Sequence, residues 1–107
     1  MEPNDAAKRV LIGYRQLSEI LKTQLGIMSA QTRLESYNRI LSSLQECFAL
    51  DPAFADAVHH LHPLRESEDL RWRMESEGQV LLATAHSFIE LYLSPEDKKK
   101  AIGFHSE

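Results

Sequence analysis

Apolar residues recur at intervals of three and four along three stretches of this chain, and that spacing restricts its fold more than any other feature. Each stretch places one apolar stripe along an α-helix. The alternation that is typical of β-strands is absent over any useful length. The pattern predicts an all-α fold, a small up-and-down helical bundle of three longer and two shorter helices. The three stripes are Val10, Tyr14, Leu17 and Leu21; Leu34, Tyr37, Leu41, Leu44 and Phe48; and Leu70, Met74, Leu81, Ala85, Phe88 and Tyr92.

Length and cysteine content indicate a single domain, 1–107, in a reducing compartment. A chain of 107 residues matches the size of one domain and buries enough surface to hold a core without disulfides. Its single cysteine, Cys47, cannot form an internal disulfide. The acidic, polar N-terminus has no secretory pattern, and no apolar run approaches the ~20 residues needed to cross a bilayer. We therefore expect a soluble, cytoplasmic protein with no membrane association.

The charge distribution argues against nucleic-acid binding. The formal net charge is −4, and the negative charge is concentrated in residues 51–78. No part of the chain carries the basic excess that neutralising a phosphate backbone requires.

Capping residues predict where the first two helices begin and end. Asn4 or Asp5 is expected to cap the first helix, and Gly26 to close it. The second helix starts either at a capping box on Thr32 or one turn earlier, at Ser29. These signals place the first helix over 5–25 and the second over 30–50.

Proline and acidic residues delimit the remaining helices. Asp51 before Pro52 predicts the start of a third helix, and His62–Pro63 its end. Ser67 is expected to open a fourth helix, in which Gly78 marks either a tight helix crossing or a kink. The predicted ranges are 52–61 for the third helix, 67–93 for the fourth, and Ser94 to Gly103 for the fifth.

The junction between the second and third helices resembles the boundary between two tetratricopeptide repeats, where a helix ends in an Asp-Pro turn and a new helix pair begins. The residues that carry the resemblance are Leu44, Cys47, Leu50, Asp51, Pro52, Phe54, Ala55 and Ala57. Met28 and Ile40 stand where that family has small residues, and no second copy follows Val58. We interpret the resemblance as shared turn chemistry; a partial repeat would imply peptide or protein binding.

The fourth helix is apolar on several sides between Val80 and Leu93, and this suggests an interface. Either it is the centre of the bundle, packed by the other helices, or one of its faces is covered by a second copy of the chain. Trp72, between two arginines, is either a rim residue or an anchor for a partner. The predicted interface residues are Ile12 and Ile20 on the first helix and Trp72, Leu82, Ile89, Tyr92 and Leu93 on the fourth.

Histidines supply the alternative hypothesis. His86 and Glu90 stand four apart on one helical face, a spacing at which both can reach one zinc or iron ion, with His59 or His62 as a further ligand. Against a metal, the adjacent His59 and His60 diverge on a helix, and histidines near a helix C-terminus commonly interact with its free carbonyls. The primary expectation is therefore no cofactor.

No catalytic motif stands out. His86, Ser87 and Glu90 fit a solvated polar stripe, and the chain has neither a glycine-rich phosphate loop nor a nucleophile elbow. We expect a non-enzymatic protein-interaction or regulatory module that self-associates as a homodimer through an apolar helix face. The alternatives are a metal-binding bundle, acting as a sensor or metal-dependent enzyme, and a regulatory subunit that docks onto another chain.

Overall fold

A computed structural model describes residues 1–24, 27–66 and 70–101, without the side chains of Thr23 and Gln24. Within these ranges every regular element is helical and no strand occurs, which confirms the all-α prediction. Three long helices of 17, 19 and 23 residues accompany two short ones of 7 and 6. The elements are α1 (Pro3–Glu19), a π-helical turn (Ile20–Gln24), α2 (Ala30–Phe48), α3 (Pro52–Val58), α4 (Leu70–Tyr92) and α5 (Pro95–Lys100).

The apolar stripes that the spacing predicted form one hydrophobic core. All five stripe residues of α2 are buried, as are those of α4 as far as Phe88. α1 packs along both α4 and α2, while α3 bridges α2 and α4. Phe54 of α3 meets Phe88 of α4 edge to face, with ring centroids 5.1 Å apart.

Three predicted caps are present. The Ser29 hydroxyl accepts a hydrogen bond from the Thr32 amide at 3.2 Å, so α2 begins at the earlier of its two predicted starts. Asp51 caps α3 by accepting from Ala53, and Ser94 caps α5 by accepting from Asp97.

The predicted start of the first helix was two residues late. α1 begins at Pro3, with Glu2 in the N-cap position and no side-chain cap. Proline at the first helical position is already held at a helical φ, which favours the earlier start. Asn4 bonds to the far end of the chain instead: its Oδ1 accepts from the Ser94 amide at 2.7 Å, and its Nδ2 donates to Asp97 Oδ2 at 3.0 Å.

The predicted end of the third helix was three residues too late. α3 ends at Val58, and 61–66 are irregular. Leu61 and Leu64 are each only 3% exposed, so the chain leaves the helix in order to bury them. Side chains of α2 form hydrogen bonds with the backbone groups that no longer belong to a helix. Gln45 donates to the Leu61 carbonyl, and Asn38 both donates to the Leu64 carbonyl and accepts from the Leu64 amide.

Two glycines mark close helix approaches. A Cβ on Gly78 would lie 2.7 Å from Leu21 Cδ1, and α4 runs without interruption through this position. Gly78 therefore marks a tight helix crossing, and not the kink that was the alternative prediction. On the other side of α1, a Cβ on Gly13 would lie 3.0 Å from Leu44 Cδ2. Small residues thus let α1 fit between α4 and α2.

Three boundary residues from the sequence predictions, Gly26, Ser67 and Gly103, lie outside the described residues. Ile27, which follows Gly26 in the sequence, is 82% exposed.

Candidate functional site

The side of α4 that points away from the core is exposed, and its charged residues lie only toward the two ends of the helix. From Gly78 to Ile89 the sequence contains no Asp, Glu, Lys or Arg. Three large apolar side chains remain open on this helix: Trp72 is 68% exposed, Val80 39% and Leu91 62%. Charged residues normally dominate the solvent side of a surface helix, so their absence here marks a surface suited to a protein partner. We call this surface the α4 outer face; it consists of Trp72, Ser76, Val80, Ala83, Ser87 and Leu91.

Three of the predicted interface residues lie in the core of the single chain. Ile20 is 5% exposed, Ile89 0% and Leu93 3%. Their side chains are therefore covered by the chain itself and are not part of the α4 outer face. The apolar residues of α4 therefore lie on two sides of the helix. One side packs against α1, α2 and α3, and the other forms the α4 outer face.

The other predicted interface residues are scattered. Ile12 is 58% exposed, but its helical neighbours Lys8, Arg9, Arg15 and Gln16 are exposed polar residues, so it is an isolated apolar side chain.

Leu82 and Tyr92 are partly buried against the core. The Tyr92 hydroxyl donates to Asp51 Oδ2. The other oxygen of Asp51 caps α3 by accepting from the Ala53 amide. Asp51 thus connects the start of α3 to the end of α4. The hydrogen bond from Tyr92 to Asp51, with some burial, raises the pKa of Tyr92.

A shallow groove of about 330 Å³ lies between α1 and α4. A second depression of about 400 Å³ continues it toward Trp72, with Leu21 and Gln79 shared between the two. Its walls carry both polar and apolar groups. The first part is lined by Tyr14, Ser18, Leu21, Lys22, Gln79, Leu82, Ala83 and His86, and the second by Leu21, Trp72, Glu75, Ser76 and Gln79.

The π-helical turn forms part of this groove. Both Leu21 and Lys22 belong to it, and such turns recur at functional sites. Sequence periodicity did not reveal it, because one wider turn barely changes the spacing of the apolar residues.

The predicted metal ligands do not converge. His86 faces Tyr14 of α1, with ring centroids 6.2 Å apart. His59 donates from Nδ1 to the Asp56 carbonyl at 2.6 Å, and His62 is exposed in the irregular segment after α3. Within the described ranges, no three His, Cys, Asp or Glu side chains lie close enough to hold one metal ion. His59 therefore takes the structural role expected of a histidine near a helix end.

A polar cluster links α2 and α4 on the far side from the groove. The Tyr37 side chain is fully buried, and neither its hydroxyl nor Glu77 Oε2 makes a hydrogen bond of normal geometry. Burial, together with the nearby Glu77 charge, raises the pKa of Tyr37. The other Glu77 oxygen lies 3.6 Å from the Arg73 guanidinium. This cluster was not identified from the sequence, where Tyr37 was only one member of an apolar stripe.

Cys47 is enclosed in the core and is 0% exposed. Burial raises the pKa of its thiol, which disfavours the nucleophilic and metal-binding thiolate. Its place in this fold is as a small apolar side chain of α2.

Comparison with known proteins identifies no relative. No protein family, curated protein or solved structure shows significant similarity to this chain. Among the helices that the structure describes, none combines the length and apolar character needed to cross a lipid bilayer.

Proposed function

We propose that this chain is a non-enzymatic, single-domain interaction module that acts in the cytoplasm through protein contact, and that it self-associates as a homodimer. The observation that carries the proposal is the α4 outer face. It is a row of apolar and small side chains that remains exposed after the chain has buried its own core. Exposed apolar surface of this kind is typical of protein interfaces, and two-fold homodimers are the commonest assemblies.

We also propose an up-and-down arrangement in which α2 and α4 both run opposite to α1. The short α3 and the segment after it then return the chain from the end of α2 to the start of α4. Two sets of contacts support this arrangement. The start of α1 touches the residue after α4 through Asn4 and Ser94, while Leu21, past the end of α1, packs on Gly78. Arg9 of α1 lies 3.8 Å from Glu46 near the end of α2, and Ile20 shares a depression with Ser36 of α2. These contacts support opposite directions for α1 and each of its two long neighbours.

The metal-binding alternative would need a third ligand beside His86 and Glu90, and no described residue supplies one there. The interaction hypothesis is the one that has an exposed surface to support it.

The direct test is the mass in solution of the wild-type chain and of Ala83→Glu, measured by light scattering across a range of concentrations. Ala83 is exposed in the middle of the α4 outer face, so glutamate there leaves the core intact. It places two like charges in any interface that this face forms. We expect twice the chain mass for the wild type and the single chain mass for the variant.

Ser42→Glu is the matched control, since it adds the same charge at an exposed position on α2 and should leave the mass unchanged. The single tryptophan, Trp72, gives an independent signal, because covering its ring shifts the emission to shorter wavelength on association. A wild-type chain that stays monomeric at every concentration contradicts self-association.

A further inference from the structure

The exposed side of α4 is self-complementary when read in opposite directions, once the charged residues near the two ends of the α4 outer face are included with it. Six residues follow one another at intervals of three and four along the outward side of the helix, the spacing at which a helix contacts a partner helix. We call them the α4 seam: Arg73, Ser76, Val80, Ala83, Ser87 and Glu90. The seam has a cation at one end, an anion at the other and small or apolar residues between them.

We infer that the partner of the α4 outer face is a second copy of this chain, packed with its α4 antiparallel about a two-fold axis level with Leu81 and Leu82. This inference rests on the proposed self-association and specifies its geometry. The register places Arg73 opposite Glu90 of the second copy, Ser76 opposite Ser87, and Val80 opposite Ala83. A two-fold axis repeats each contact, so one helix supplies both halves of every pair.

Charge complementarity selects the antiparallel arrangement. A parallel pair in register would bring Arg73 against Arg73 and Glu90 against Glu90, and like charges across an interface oppose association. The antiparallel pair converts both contacts into ion pairs. Both side chains can reach a partner: Arg73 is 41% exposed and Glu90 44%. Antiparallel alignment also places opposite ends of the two helix dipoles side by side.

Side-chain size favours close packing of the two helices. Ser76, Ala83 and Ser87 are short, so the axes can approach to the lower end of the ~8–10 Å range for packed helices. Val80 is the one large apolar residue inside the seam, and pairing with Ala83 gives it a small neighbour. Trp72 and Leu91 flank the two ends of the seam and cover its sides with apolar surface.

Engineered cysteines test the register without changing any charge. Ser76→Cys and Ser87→Cys are prepared as separate proteins, mixed, equilibrated and oxidised. The antiparallel register predicts a cross-linked species containing one chain of each. It predicts no cross-link in either variant alone, because the two copies of Ser76 would lie ~16 Å apart along the pair and a disulfide requires Cα atoms within ~7 Å. Wild-type protein is the control for Cys47, which is buried.

A charge exchange gives a second readout. Arg73→Glu and Glu90→Arg each place like charges at both ends of the seam, and each should weaken self-association by roughly tenfold. Combining both substitutions in one chain restores opposite charges and should recover most of the wild-type affinity. Circular dichroism of each variant monitors the fold, since Arg73 also contacts Glu77 and Glu90 also contacts Lys98.

The outcomes separate this register from the proposed function. Cross-linking of Ser76→Cys with itself would overturn the antiparallel register. A dimeric wild type that Ala83→Glu dissociates, but that gives no mixed cross-link, would overturn the register while leaving the α4 outer face as the interface. A monomeric wild type would remove both proposals.

Discussion

At the scale of single residues, two tyrosines on the helical stripes have opposite roles. Tyr37 is fully enclosed, and its hydroxyl has no well-formed hydrogen bond. Tyr92 is partly exposed and donates to the carboxylate that caps α3. The sequence places both at helical spacing on an apolar stripe, and the difference between them arises from neighbours on other helices.

Replacing each tyrosine with phenylalanine should therefore have opposite effects on stability. Tyr37→Phe removes a buried hydroxyl that approaches Glu77 without a hydrogen bond of normal geometry, so we expect the free energy of unfolding to rise by about 1 kcal/mol. Tyr92→Phe removes a hydrogen bond to a carboxylate and should lower it. Chemical denaturation of the two variants beside the wild type makes the comparison. A loss of stability in Tyr37→Phe would show that its hydroxyl has a partner.

The same pair predicts how the protein responds to alkali. The folded-state pKa of each tyrosine is raised, so the unfolded chain ionises first, near the ordinary pKa of about 10. Below that pH neither tyrosine ionises in either state, and as the pH rises toward the folded-state pKa the free energy of unfolding falls, because the unfolded chain binds fewer protons. Tyr37→Phe should reduce the fall in stability above about pH 10.

At the scale of elements, side-chain capping accounts for the starts of α2, α3 and α5, while the incorrect predictions at α1 and α3 involve contacts with residues distant in the chain. Ser29, Asp51 and Ser94 cap as their sequence context predicted. Asn4 is a good capping residue that does not cap, because it lies against the start of α5. Local preference sets a helix end only where no distant group competes for the same side chain.

The attachment of α5 should respond to acid through Asp97. Hydrogen bonds from Asn4 and then Ser94, with the nearby Lys8 charge, hold the pKa of Asp97 below its ordinary value. The carboxylate therefore stabilises the fold above about pH 4, and this contribution is lost as the pH falls through the lowered pKa. Asn4→Ala should move the pKa of Asp97 upward and lower the free energy of unfolding at neutral pH.

Nuclear magnetic resonance titration of the Asp97 carboxyl, in the wild type and in Asn4→Ala, measures that shift directly. Glu96→Gln is the matched control, because Glu96 lies exposed beside Asp97 in the first turn of α5 and its loss should leave the titration unchanged. An unaltered Asp97 pKa in Asn4→Ala would mean that the hydrogen bond from Asn4 does not form in solution.

At the scale of the whole molecule, one core joins residues from all the long helices, and Cys47 lies inside it. We expect a thiol reagent to label Cys47 only when the chain unfolds, so the labelling rate should be proportional to the fraction of unfolded chains. Rates measured across a denaturant series should reproduce the stability obtained by circular dichroism. Ser42→Cys adds an exposed thiol as the reference for a reaction without protection. Rapid labelling of Cys47 in the native protein would contradict an enclosed core.

Sequence alone identified the helical class, the positions of the long helices and nearly all of their buried stripes, because helical periodicity and capping depend on residues close together in the chain. It also showed that α4 is too apolar for an ordinary surface helix.

Only the tertiary structure decided how that apolar surface is divided. The core contains three of these apolar residues, Ile20, Ile89 and Leu93, whereas three others remain exposed, Val80, Ala83 and Leu91. The hydrogen bond between Asn4 and Ser94 likewise could not be predicted from the sequence, because the two residues are far apart in the chain. The physical reason is that a helical wheel specifies which residues share a face, whereas the number of neighbouring helices and the angles of their approach specify which faces are covered.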